Sequence, residues 1–162
     1  MATILSMMRK FKELNTDLVV YQAMKEVETD FEDLNKEQLY DGKTKLGTDI
    51  RPSYFEDPYF ETYQDAAAYS DWKDKITPNI RRNPGTPNLY INGYYYESRK
   101  VVVLPDVILH TTTWGEGDEI ADKYKNINGL GGSYKRIFLK DYLMPVLSDK
   151  MFEKLGLRMR KN

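Results

Sequence analysis

The sequence predicts an α+β chain, with helical periodicity at both ends and one β-branched hairpin between them. Three observations carry this. Ile4, Met7, Phe11, Leu14, Leu18 and Tyr21 step by threes and fours along one stripe, and Met24, Val27, Phe31 and Leu34 continue it after a shift of register. RKVVVL and VILHTTTW are β-branched runs on either side of the turn pair Pro105-Asp106. Ser133 reads as the cap of a last helical run, which Gly156 closes.

Taken in order, the first stripe predicts one long helix over about residues 3–36, a segment free of glycine and proline. At ~1.5 Å per residue it would span ~50 Å. A small domain cannot cover that length, so the stripe packs on its own sheet or partly on another subunit. QLYDGKTKLGTDIRPSYFEDPYF then reads as an irregular loop or loose hairpin, punctuated by Gly42, Gly47 and Pro52. Asp57-Pro58 reads as an N-cap followed by a first-turn proline. It opens a helix of about 58–76, with Ala66, Ala67 and Ala68, and with Tyr69, Trp72 and Ile76 at helical spacing. Pro78 ends that helix. TPNIRRNPGTPN, residues 77–88, reads as an extended loop. The hairpin covers about 99–114, Gly115 to Asn126 a short helix, and Gly129 to Gly132 a turn. The C-terminal helix covers about 133–155, kinked or divided by Pro145. The 162 residues suit a single domain, 1–162.

Composition narrows the function classes. Without cysteine there is no disulfide, thiolate metal site or thiol nucleophile. This suits a reducing compartment, although such a chain also survives outside the cell. No apolar run approaches the ~20 residues that span a bilayer, and MATILSMMRKFKEL lacks the apolar core and cleavage site of a signal peptide. His110 is the only histidine. It lies mid-strand with Ile108, Thr112 and Trp114 on its face, which reads as a structural or surface histidine. No G-x-S-x-G elbow or Walker A ending occurs. Gly129 to Gly132 only loosely resembles a phosphate cradle. Gly115-Glu116-Gly117-Asp118-Glu119 lacks the spacing of a calcium loop and reads as an acidic helix start. No catalytic residue, cofactor or metal is therefore expected. From Glu26 to Asp71 there are thirteen acidic and four basic residues; from Lys135 to Asn162 there are eight basic and three acidic. These are solvated faces, or head-to-tail contacts between copies, or a basic end that touches nucleic acid.

The stretch NLYINGYYYES concentrates Tyr90, Tyr94, Tyr95 and Tyr96 around Asn92-Gly93. Asn-Gly between apolar residues is a type I′ hairpin signal. Alternatively Asn92 caps a helical turn before the VVV strand. A buried tyrosine hydroxyl needs a partner, so the cluster suits a boundary, either within the molecule or against another chain. With Arg158, Arg160 and Lys161 of the basic end, these tyrosines are the candidate subunit-interface residues.

The order of elements resembles the small virion morphogenesis proteins of tailed phages and prophages: minor tail, tail-completion or head–tail joining proteins. The likeness rests on the long helix, D-G-K and R-P-S-Y in the loop, Tyr69 and Trp72-Lys73 in the alanine-rich helix, Pro87-Asn88-Leu89-Tyr90, Gly93, Tyr95 and Ser98 before the hairpin, and Tyr124-Lys125-Asn126-Ile127-Asn128-Gly129-Leu130 after it. In the family's short T-G-x-L-x-x-S element, Asn92 replaces threonine and Tyr95 replaces leucine. Arg99-Lys100 stand where an apolar residue is commoner. The resemblance implies a small, mainly antiparallel sheet packed by a long N-terminal helix and a C-terminal helix. It favours the helical turn at Asn92, with Ser98 at the strand entry. It implies a non-enzymatic structural subunit of the virion, assembled in the host cytoplasm, that forms or completes a ring at the neck, head–tail junction or tail. Partners would be copies of itself and neighbouring connector, tail-tube or portal-proximal proteins, with weak DNA contact at most and neither membrane nor small-molecule substrate. The alternatives are a DNA-contacting protein of the packaging or neck machinery, suggested by GLRMRKN, and a small phage-encoded hydrolase.

Overall fold

Asn15 interrupts the N-terminal stripe, which folds as three helices rather than one: α1 (Ile4–Glu13), α2 (Thr16–Glu26) and α3 (Glu28–Tyr40). The structure, a computed structural model, describes residues 4–157. The single helix expected over about 3–36 is corrected at two points. Asn15 is extended (φ −77°, ψ 94°), and its side chain accepts a hydrogen bond from the Leu18 amide at 3.0 Å, capping α2. Asparagine competes for backbone donors in this way, so a stripe without glycine or proline can still be cut. The break at Val27 is milder (φ −102°, ψ 19°). The Val27 amide still donates to Ala23 O, and the Phe31 amide to Val27 O.

α4 (Tyr63–Ile76) starts later than Asp57-Pro58 suggests. Thr62 caps it, accepting from the Asp65 amide at 3.1 Å and donating to the Asp65 carboxylate at 2.7 Å. Asp57 instead turns the chain, accepting from the Tyr59 amide at 3.1 Å, and pairs with Lys123 at 2.6 Å. Of Tyr69, Trp72 and Ile76, only Tyr69 turns inward, half-buried against Tyr54 and Phe60. Trp72 and Ile76 are exposed, while Ala66, Ser70 and Lys73 are buried. The segment 77–93 covers that face, and its backbone needs polar partners. The Gly85 amide donates to Ser70 Oγ at 3.1 Å, and the buried Arg82 binds Asp74 at 2.6 Å and the Thr77 carbonyl at 3.1 Å.

A helical turn, α5 (Tyr94–Ser98), feeds β1 (Arg99–Val103), which pairs antiparallel with β2 (Ile108–Thr112), setting Val101 opposite His110. α3 covers the outer edge of β1 with carboxylates. Glu32 accepts from the Val101 amide at 3.1 Å and Glu28 from the Val103 amide at 2.7 Å. Burial opposes ionisation of Glu32. Hydrogen bonds from Lys36, the Val101 amide and Lys100 outweigh it and hold the carboxyl below its ordinary value. α6 (Gly117–Lys123) is shorter than the 115–126 expected.

The C-terminal run is α7 (Gly132–Ile137), a π-helical turn (Phe138–Leu143) and α8 (Met144–Leu155). Pro145 lacks an amide donor, and the wider turn just before it carries the run past that loss. Gly131, not Ser133, stands at the cap; Gly156 ends the run at φ 70°. Two apolar clusters result. One joins Ala23, Val27, Phe31 and Leu34 to Val101, Val103, Leu130, Tyr134 and Phe138. The other joins Leu39 and Ile50 to Tyr95, Tyr96, Tyr124 and Ile127. The glycine run between them is clamped: Asn35 donates to the Gly129 carbonyl at 2.8 Å, and Gln38 accepts from the Gly131 amide at 2.8 Å. A Cβ on Gly131 would lie 2.0 Å from the Lys45 carbonyl oxygen. The run therefore serves close backbone packing. The whole is a small α+β fold, with a two-stranded antiparallel sheet between helices.

Candidate functional site

Gly93, at φ 88°, sets the direction of the tyrosine run. Gly93, not the expected Asn92, occupies the N-cap of this turn, and the Asn92 side chain accepts from the Tyr94 amide at 3.2 Å one residue outside it. Ser98 Oγ donates to the Tyr95 carbonyl at 2.9 Å and the chain enters β1 at Arg99. No hairpin forms at residues 90–96.

This turn divides the tyrosines. Tyr94 is 60% exposed. Tyr90 is partly buried, edge-on to Tyr40 and Tyr96. Tyr95 and Tyr96 are buried in the second cluster. Their place as interface residues is corrected, because each hydroxyl is bound within the chain: Tyr96 OH donates to the Asn88 carbonyl, and Tyr95 OH accepts from Arg99 at 2.6 Å. Arg158, Arg160 and Lys161 lie outside the described residues.

The inner side of the run opens on a cleft of about 390 Å³ between α4, segment 87–92 and α6. Tyr54, Tyr69, Tyr90, Tyr95, Trp114 and Tyr124 line it, with Leu89, Ile120, Glu116, Lys73 and Lys123. Leu89 holds the left-handed conformation (φ 55°), rare for a side-chain-bearing residue. Burial pushes the phenols of Tyr54, Tyr69 and Tyr124 above their ordinary value, so they stand as neutral hydroxyls.

Two cations reach this cleft and differ in state. Lys123 pairs with Asp57 at 2.6 Å and sits over the Tyr124 ring. Lys73 is 2% exposed, and its ammonium donates to the Tyr90 carbonyl. Among the described residues no carboxylate comes within ion-pairing distance of it. Burial, then the nearby Arg82 charge, lowers its pKa to about 8.

A second buried cation stands behind Tyr95. Arg99 is 5% exposed and donates to Tyr95 OH at 2.6 Å, Asn35 Oδ1 at 2.7 Å and Asn128 Oδ1 at 3.1 Å. It lies 3.3 Å from His110 Nδ1, which must accept because a guanidinium only donates. The His110 proton therefore sits on Nε2. Burial, then Arg99, lowers the His110 pKa to about 4. The structural reading of His110 agrees with this geometry. Among the described residues no group of acids and histidine is arranged to hold a metal ion.

Sequence reasoning missed Lys73 and Arg99. The available signal for Lys73 was its spacing: Ala66, Ser70, Lys73 and Thr77 fall on one helical face, small and polar where Tyr69 and Trp72 draw attention. Fold and cleft together define a small α+β protein with an aromatic, lysine-floored cleft. The chain matches no family model, no curated protein and no solved structure.

Proposed function

We propose that this chain is a non-enzymatic structural subunit of a tailed-phage virion, forming or completing a ring at the neck, head–tail junction or tail. One observation carries the reading beyond the order of elements. α1 is amphipathic, yet Met8 to Glu13 are all exposed, with Met8 at 55% and Phe11 at 57%. Leu18 and Val20 of α2 are exposed as well. α1 is tied to the body at α8, where Lys10 donates to the Leu155 carbonyl at 3.3 Å. Met8 and Phe11, apolar side chains three residues apart and both in water, suit burial against another chain. A subunit that meets its neighbour through unlike surfaces closes into a ring when the rotation permits.

Charge is the weaker organiser. Much of the acidic segment is matched inside the chain: Glu26 with Lys150 at 2.6 Å, Asp49 with Lys43, Glu56 with Arg51 at 2.6 Å, and Glu37 and Asp41 with Arg81. Mass photometry and negative-stain imaging, with and without neighbouring virion proteins, test the reading. Rings are expected from the unsubstituted chain. Phe11→Asp should abolish them while leaving the urea midpoint unchanged. Rings that persist in F11D, or a monomer under every condition, would overturn it. Light scattering across a salt series reads the charge contribution.

A further inference from the structure

We propose that the cleft between α4, segment 87–92 and α6 binds a small aromatic carboxylate, with its carboxylate on the Lys73 ammonium and its ring among Tyr69, Tyr95 and Trp114. This goes beyond the assembly reading and does not depend on it. A lysine ammonium has three donors, and Lys73 gives one to the Tyr90 carbonyl. The other cation of the cleft, Lys123, is already paired with Asp57. A buried charge without a counter-ion is costly, and a ligand carboxylate supplies two acceptors and the missing charge. At pH 7 a lysine titrating at about 8 is still mostly the cation. The aromatic walls offer faces and edges for stacking. A volume of about 390 Å³ is in the range of small-ligand pockets and accommodates one ring or an indole. Glu116 also lines the cleft. Its carboxylate opposes the negative charge that Lys73 attracts, which makes ligand charge the deciding variable.

Three probes of one ring and different charge decide it: 4-hydroxyphenylacetate, p-cresol and tyramine. Each is titrated into the unsubstituted protein by calorimetry, with the Trp114 indole N–H followed by NMR. The anion is expected to bind saturably, about tenfold or more tighter than p-cresol, as a charge-assisted hydrogen bond implies. Lys73→Met should remove that margin and leave p-cresol binding in place. Equal affinity for anion and neutral ring, tightest binding of tyramine, a margin that survives in K73M, or no saturable binding below ~10 mM would each overturn the proposal. The three-probe comparison is made on the unsubstituted chain, so it decides even where K73M fails to fold.

Discussion

Arg99 and Lys73 are both buried, both lie beside the tyrosine run, and neither touches a carboxylate among the described residues. Their surroundings differ. Arg99 spreads its fork over Tyr95 OH, Asn35, Asn128 and His110. Asn35 is itself held by donating to the Ile127 and Gly129 carbonyls, so the network reaches from α3 to the glycine run. Lys73 donates to one carbonyl and faces a cleft. A planar guanidinium suits fixed, many-partner geometry, whereas an ammonium on a flexible stem leaves donors to spare. The first cation is a fastening built into the core. The second is a group with unused bonding capacity.

Removing Arg99 should have the largest effect. Arg99→Met fills much of the space but strands the Asn35 oxygen and the Tyr95 hydroxyl in the interior, while the exposed Asn128 turns to water. Buried groups left unmatched cost about 1–3 kcal/mol each. A loss of roughly 3 kcal/mol or more is expected, read from the urea midpoint at constant slope. A loss under about 1 kcal/mol would erase the distinction between the two cations.

Acid should loosen the same junction less. The folded protein releases the His110 proton at about pH 4, the unfolded chain near 6.5. Between those values the unfolded state binds more protons, so stability is fully present above about 6.5 and is lost as pH falls to about 4. The loss from this group is at most about 3 kcal/mol. Glu28 and Glu32, whose carboxyls are also held low, add their own loss as they protonate in acid. His110→Asn isolates the histidine: it should flatten the part of the stability curve between pH 4 and 6.5. As His110 is the only histidine, NMR titration of its ring checks the midpoint directly.

How far these features were legible in the sequence follows from how local each one is. The hairpin was readable because β-branched runs flank Pro105-Asp106, and the helix stop because Gly156 can take φ 70°. The cut at Asn15 was less so, since an apolar stripe and an asparagine cap compete within the same residues. Asn-Gly at 92–93 favours a hairpin locally, but the chain forms a helical turn in which Tyr95 and Tyr96 are buried with hydroxyl partners. The cleft was not readable at all. Its walls come from Tyr54, Lys73, Tyr90, Trp114 and Tyr124, and no local period brings such distant positions together. Arg99 reads as a polar strand residue until Asn35 and Asn128 surround it.

Lys73→Met is the smallest and sharpest perturbation. The variant loses one hydrogen bond to the Tyr90 carbonyl, worth about 1.5–3 kcal/mol when the donor is charged. It also relieves the cost of keeping a cation out of water, which the lowered pKa of about 8 reports. These oppose each other, so a net change within about 1 kcal/mol is expected at pH 7. The pH dependence gives the sign independently. Folded Lys73 loses its proton near pH 8 and an unfolded lysine near 10.5. The unfolded state then binds more protons across that window, and stability should rise with pH between them. The rise should be absent in K73M. A large loss at neutral pH, matching that of Arg99→Met, would make Lys73 a second fastening and leave the cleft without a free donor to offer.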